Sequence, residues 1–111
     1  MASGAPQDVA WIDVMDSDDL WIGDMIELET DLGPLLLINL DGSVFAYENR
    51  CPHKGSRLGG GELIDGVIVC PNHRWEFCAR GGAGVNPTGT RLNRHAVRVV
   101  DGRIQIARCR T

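Results

Sequence analysis

Two short runs in this chain each carry one thiol and one imidazole: Cys51-Pro52-His53 and Cys70-Pro71-Asn72-His73, with sixteen residues between them. Cysteine and histidine at one- and two-residue separations are metal ligands held in tight loops, and Pro52 and Pro71 stiffen both loops by fixing φ directly after each cysteine. Two thiolates and two imidazoles suit a tetrahedral zinc ion, but zinc sites usually pair Cys with Cys and His with His at characteristic spacings that are absent here. A disulfide between Cys51 and Cys70 would leave His53 and His73 without a purpose. A matched Cys-His pair of half-sites instead fits a two-iron, two-sulfide cluster with both cysteines on one iron and both histidines on the other. Two ferric ions, two sulfides and two thiolates sum to zero charge, so one added electron is accepted more easily than by an all-thiolate cluster. The chemistry implied is one-electron transfer. No nucleophile or acid–base pair suggests catalysis by the chain alone.

The elements that must position these ligands read as β-strands. Residues 9–14 form a candidate first strand, followed by a short turn at Asp19-Leu20 that Ser17 or Asp18 could cap. Residues 24–30 alternate, with Ile26 and Leu28 on one face, and Gly33-Pro34 is expected to end that strand. Three Asp-Gly pairs (Asp41-Gly42, Asp65-Gly66 and Asp101-Gly102) lie between apolar segments and predict two-residue hairpins. The strands so joined are 35–40 with 43–47, 63–64 with 67–69, and 95–100 with 103–107. The fold class expected is all-β, a small antiparallel sandwich or barrel. Cys51 then follows one strand and Cys70 ends another, so a hairpin can bring both loops over one cluster, with function on loops and rigidity in the sheet. Trp75 and Phe77, alternating after His73, are expected to pack in the core, Trp75 becoming a docking anchor if it is exposed beside His73. His95 is expected as a surface or interstrand residue, Cys78 as a small strand residue and Cys109 as a tail thiol rather than ligands.

At 111 residues the chain is the size of one domain. A flexible tail over 1–8 and a single domain over 9–108 are expected. The longest strongly apolar run is Leu35-Leu36-Leu37-Ile38, too short to span a bilayer, and residues 1–10 lack the basic and apolar regions of an export signal. A cytoplasmic protein follows, where four cysteines suit metal binding better than disulfides. The net charge of −4 is divided unevenly: residues 1–49 hold eleven acidic and no basic side chains, and residues 50–111 hold eleven basic and four acidic ones. Either the halves interleave and neutralise each other, or Lys54, Arg57 and Arg74 form a positive rim that steers the ligand loops onto an acidic partner. An acidic chain with few aromatics argues against nucleic-acid binding.

From about residue 11 to 106, and most specifically between Cys51 and Pro87, the sequence resembles the Rieske ferredoxin family. The resemblance implies that Cys51 and Cys70 bind one iron of a [2Fe-2S] cluster and His53 and His73 the other. It also implies that Ser56 and Asn72 stand where the Rieske proteins of cytochrome bc complexes carry a disulfide, so that bond cannot form here. Those proteins follow the last histidine with Gly-Ser, whose hydroxyl binds a cluster sulfide; Arg74-Trp75 takes that place here, which implies a potential at the low end of the Rieske range. Ferredoxins of ring-hydroxylating dioxygenases commonly read Cys-Pro-x-His-Gly-x-x-Phe. The run His73-Arg74-Trp75-Glu76-Phe77, then Gly84-Val85-Asn86-Pro87, looks more like the ferredoxins of soluble diiron monooxygenases acting on toluene, alkenes or isoprene. In those systems an NADH-dependent flavin and iron–sulfur reductase supplies electrons and a diiron hydroxylase receives them. The resemblance thus implies a monomeric carrier with transient partners, with a dioxygenase ferredoxin as the alternative and a structural zinc module as the alternative from another class. Asn86-Pro87 is expected to shape a loop shielding the cluster.

Overall fold

The computed structural model describes residues 10–53 and 55–108; the expected tail, Lys54 and Cys109 lie outside the described residues. Ten strands follow in order: β1 (Ile12–Asp16), β2 (Met25–Thr30), β3 (Gly33–Leu40), β4 (Ser43–Glu48), β5 (Glu62–Ile64), β6 (Val67–Val69), β7 (Glu76–Cys78), β8 (Gly84–Asn86), β9 (Arg94–Val100) and β10 (Arg103–Arg108). They build a six-stranded antiparallel sheet, β1-β10-β9-β4-β3-β2, and a four-stranded one, β5-β6-β7-β8. The larger sheet curls until its edge strands flank a common groove, Ile12 to Val14 on one side and Leu28 to Asp31 on the other, giving a nearly closed barrel.

All three Asp-Gly pairs form the expected hairpins. Asp41, Asp65 and Asp101 take φ of 55°, 50° and 51°, and the glycines after them 95°, 78° and 77°. Two consecutive positive φ values are what a type I′ turn demands, and Asp-Gly supplies them at low cost. The break expected at Gly33-Pro34 falls earlier. β3 already begins at Gly33, opposite Thr30, so Asp31-Leu32 makes the turn and Pro34 sits inside the strand opposite Glu29. The short turn after β1 is present at Ser17–Asp19, but without a side-chain cap.

β3 explains why the longest apolar run lacks alternation. Leu35 and Leu37 point into the barrel with Leu20, Ala46, Ile104 and Ile106. Leu36 and Ile38 point outward, against Tyr47, Leu58, Ile68, Phe77 and Leu92 beneath the small sheet. A strand covered on both faces reads as continuous hydrophobicity.

The acidic and basic halves of the chain meet in one sheet, since β9 and β10 lie between β1 and β4. Arg103 pairs with Asp13 at 2.9 Å and Asp16 at 3.7 Å, and Arg57 with Glu29 at 3.0 Å. Arg74 faces Glu62 at 3.8 Å. Arg57 and Arg74 therefore carry acidic neighbours, which favours mutual neutralisation over a positive steering rim.

His95 is an interstrand residue, as expected, but a buried one, 9% exposed between Ala46 of β4 and Arg108 of β10. Burial pushes its imidazole below the ordinary histidine value of 6.5, opposed by Glu48 and reinforced by Arg108. The unfolded chain then binds the proton more readily, so folding loses stability as pH falls below about 6.5 toward the folded-state value. Urea unfolding of the parent and a His95→Gln variant should show a parent-specific drop between pH 7.5 and 5.5; identical pH profiles would contradict it.

Candidate metal centre

The first ligand loop leaves β4 through Asn49, which is 1% exposed. Its side chain donates to Glu27 Oε1 at 2.7 Å and accepts from the Gly59 N–H at 3.0 Å, while its own N–H reaches the Pro34 carbonyl at 2.9 Å. A buried amide with these partners ties both ends of the loop to the barrel wall. Cys51 closes the loop with its N–H on the Ser56 carbonyl and its carbonyl accepting from Gly55, both at 2.8 Å. At Gly61 an added Cβ would lie 1.9 Å from the Val69 carbonyl oxygen, so only glycine lets this segment pass so close to the strand that delivers Cys70.

The second loop is a tight reversal from β6, closed by the Cys70 N–H on the Trp75 carbonyl at 2.8 Å. His73 and Arg74 occupy the left-handed region at φ 66° and 54°. For side chains with a Cβ this costs about 1–2 kcal/mol each. Such strain is held by surrounding structure and is typical of functional loops.

The two loops bring all four predicted residues together in two pairs. Cys51 and Cys70 are 1% and 0% exposed and lie in the same buried cluster, close enough for one thiol to act on the other. The imidazoles of His53 and His73 lie edge to face with ring centroids 5.0 Å apart. Burial pushes the Cys70 thiol above its ordinary value, opposed by the Asn72 N–H aimed at the sulfur and reinforced by neighbouring Cys51. Among the described residues, no three His, Cys, Asp or Glu side chains are grouped as a single ion needs. A sulfur pair beside a nitrogen pair is the donor arrangement a two-iron cluster takes, so the residues fit a [2Fe-2S] group.

Two contacts here were not legible in the sequence. Asn72 Nδ2 donates to Ser56 Oγ at 3.1 Å, joining the loops at the very positions where a disulfide cannot form. Trp75 stacks on His53 at 4.3 Å with an 11° interplanar angle. The core expectation holds for Phe77, fully buried, and in part for Trp75, which is half-buried, packs against the same cluster and covers one ligand candidate rather than extending beside His73 as an anchor. The loop after Asn86 bonds to itself, Thr90 to the Pro87 carbonyl and Gly84 to the Thr90 carbonyl, while Asn86 lies opposite Glu76, next to Trp75. Cys78 is a β7 residue whose thiol reaches the Arg80 carbonyl.

The Asn72–Ser56 bond is worth about 1 kcal/mol. An Asn72→Ala protein should therefore lose its cluster to a chelator roughly fivefold faster than the parent, followed by decay of visible absorbance. An unchanged rate would show that this bond does not hold the loops together.

Comparison with known proteins agrees with this geometry. The ferredoxin component of the alkene monooxygenase system of Xanthobacter autotrophicus strain Py2 is 37% identical over 100 residues, covering 89% of this chain and 82% of that protein. The ferredoxin component of the naphthalene 1,2-dioxygenase system of Pseudomonas putida is 28% identical over 100 residues, covering 88% of this chain and 95% of that one. Among solved structures, the complex of reduced oxygenase and oxidized ferredoxin in carbazole 1,9a-dioxygenase matches with a TM-score of 0.80 at 26% identity, covering 87% of this chain and 92% of that one. The family profile of the Rieske [2Fe-2S] domain matches residues 10–100. With paired thiols and paired imidazoles on two loops of an all-β scaffold, the chain belongs to the Rieske [2Fe-2S] domain family, whose cofactor is a [2Fe-2S] cluster.

Proposed function

We propose that this protein is the ferredoxin component of a multicomponent monooxygenase, carrying single electrons from an NADH-dependent flavin and iron–sulfur reductase to a diiron hydroxylase. Its supporting observation is the pair of thiols set beside a pair of imidazoles on the loops that follow β4 and β6, in a chain most like an alkene monooxygenase ferredoxin among the relatives described above. In this reading Cys51 and Cys70 hold one iron, and His53 and His73 hold the other. The bound cluster supplies a one-electron couple centred on the histidine-ligated iron.

The chain's own residues do the rest. The Asn72 N–H stabilises negative charge on the Cys70 sulfur. Trp75 fixes the plane of the His53 ring and shields it from water. His73, exposed at the loop tip, offers its ring edge as the contact through which electrons enter and leave. The carrier itself oxidises no hydrocarbon and works in the cytoplasm as one domain spanning 9–108. Among the described residues no helix is long and apolar enough to cross a membrane.

The same arrangement serves a ring-hydroxylating dioxygenase, the reading favoured by the naphthalene relative and the carbazole complex. Purified ferredoxin mixed with the reductase and hydroxylase of an alkene monooxygenase should sustain NADH-driven alkene oxidation. With the corresponding dioxygenase components it should work more slowly. No transfer to the hydroxylase, or faster transfer to the dioxygenase, would overturn the assignment.

A further inference from the structure

Two large apolar side chains that are neighbours in sequence face water on this protein. Trp21 is 71% exposed and Ile22 69%, more than any other large apolar residue among those described. They lie in the loop of residues 16–24 that joins β1 to β2, and that loop is tightly fastened. Leu20 is buried in the barrel core and holds it from below. Asn39 Nδ2 donates to the Leu20 carbonyl at 2.8 Å, and the Gly23 N–H reaches the Asn39 carbonyl at 2.7 Å. The Trp21 N–H donates to Asp24 Oδ2 at 2.9 Å, and the indole Nε1–H to the Asp18 carbonyl at 3.0 Å. The one polar atom of the ring is thus satisfied within the chain, while most of the ring stands in water. A tethered aromatic side chain gives up little freedom on binding and offers a large apolar area, the properties of an interface anchor.

The surroundings select the occupant. Residues 16–24 read Asp-Ser-Asp-Asp-Leu-Trp-Ile-Gly-Asp, four carboxylates with no basic side chain. Asp101 joins them from the neighbouring hairpin turn, where the Gly102 carbonyl accepts from the Ser17 N–H at 2.8 Å. Asp16 faces Arg103 at 3.7 Å, whereas Asp18, Asp19, Asp24 and Asp101 take part in no ion pair found among the described residues. An anionic membrane or a nucleic acid is repelled by such a rim. A second copy docking through the same patch doubles the negative charge instead of opposing it. A neutral apolar surface strips water from the carboxylates and leaves them unpaired. A protein surface with an apolar pocket ringed by lysine or arginine satisfies both the exposed side chains and their rim.

This loop is set apart from the cluster ligands. It bonds to Asn39 near the end of β3, whereas Cys51 follows Glu48, which lies opposite Leu35 near the start of that strand. Leu35 and Asn39 are four residues, or about 13 Å, apart along β3. We propose that Trp21 and Ile22 form a second docking surface that inserts into a basic-rimmed apolar pocket on a protein with which this carrier exchanges electrons. The inference rests on the reading of the chain as an electron carrier, and it is the same whether the oxygenase served is a monooxygenase or a dioxygenase. The contact tethers the partner and leaves the ligand loops free.

The test titrates the full-length holo-ferredoxin by calorimetry into the purified reductases and oxygenases of an alkene monooxygenase and a ring-hydroxylating dioxygenase, at low and high salt. At least one component should bind. Trp21→Ser should weaken that binding about thirtyfold and Ile22→Ser about tenfold. The double variant Asp18→Asn/Asp19→Asn should weaken it about fivefold and flatten its salt dependence, a change that lost packing alone does not produce. All these side chains are exposed, so visible spectrum and reduction potential should match the parent in every variant. Trp21-dependent binding without NADH-driven alkene oxidation would support this surface while contradicting the monooxygenase reading. Binding to none of the components, or equal affinity in the parent and all three variants, would overturn the inference. A Trp21-dependent dimer, or Trp21-dependent attachment to anionic lipid vesicles, would overturn it as well.

Discussion

A Cys70→Ser protein should be isolated colourless and without acid-labile sulfide, under conditions in which the parent carries its cluster. Cys70 ends β6 at 0% exposure, against the Cys51 thiol and under the Asn72 N–H. The position has no access to water that could replace a missing ligand. A serine hydroxyl there is shorter and far less readily ionised than a thiol, so one iron would lose one of its two protein anchors. Loss should be complete rather than graded, because a cluster held at three corners in a strained loop dissociates or hydrolyses. Far-UV circular dichroism should retain strand signal, since Leu36, Tyr47, Ile68 and Phe77 still pack between the sheets. A variant with the parent's full iron and sulfide content would mean that Cys70 is not a ligand.

The second large effect is expected from Phe77→Ala. Phe77 lies opposite Ile68 on β6 and is fully buried in the cluster of side chains that also contains Cys51 and Cys70. Truncating a buried phenylalanine costs about 3–5 kcal/mol, a large share of the roughly 5–15 kcal/mol that stabilises a small domain. The void would open within the buried cluster that contains both cysteines. Urea unfolding of the holo-protein, followed by circular dichroism with visible absorbance recorded alongside, should show a much lower midpoint with both signals falling together. A stability loss below about 1 kcal/mol would show that the small sheet does not rest on this ring.

Much of the scaffold is legible in the sequence because its signals are local. The Asp-Gly pairs announce their turns because few other dipeptides adopt two positive φ values cheaply. Ile26 and Leu28 show the barrel-facing side of β2 through simple alternation. The site is legible for a similar reason: within each half-site the ligands are one or two residues apart. What remains hidden depends on residues distant in sequence. The Asn49–Glu27 bond spans 22 positions and the Asn72–Ser56 bond 16, and neither pair has a motif. The stacking of Trp75 on His53 exists only once two separate loops have met. The turn at Asp31-Leu32 was masked by the stronger breaker signal of Gly33-Pro34, because β3 tolerates a proline near its start, opposite Glu29. The burial of His95, expected as a surface or interstrand residue, was not legible because alternation along β9 fails beyond Val97, where the strand runs out of the core. Its burial comes from neighbours on β4 and β10 that periodicity cannot supply.

The central claim is that two sulfurs grip one iron and two imidazoles the other. Pulsed electron paramagnetic resonance of the dithionite-reduced protein tests it most directly. The spectrum should show hyperfine coupling to two directly bound nitrogens, and selective ¹⁵N labelling of histidine should change both couplings. A reduced cluster with no strongly coupled nitrogen, or a protein that takes up only zinc under anaerobic reconstitution, would contradict it.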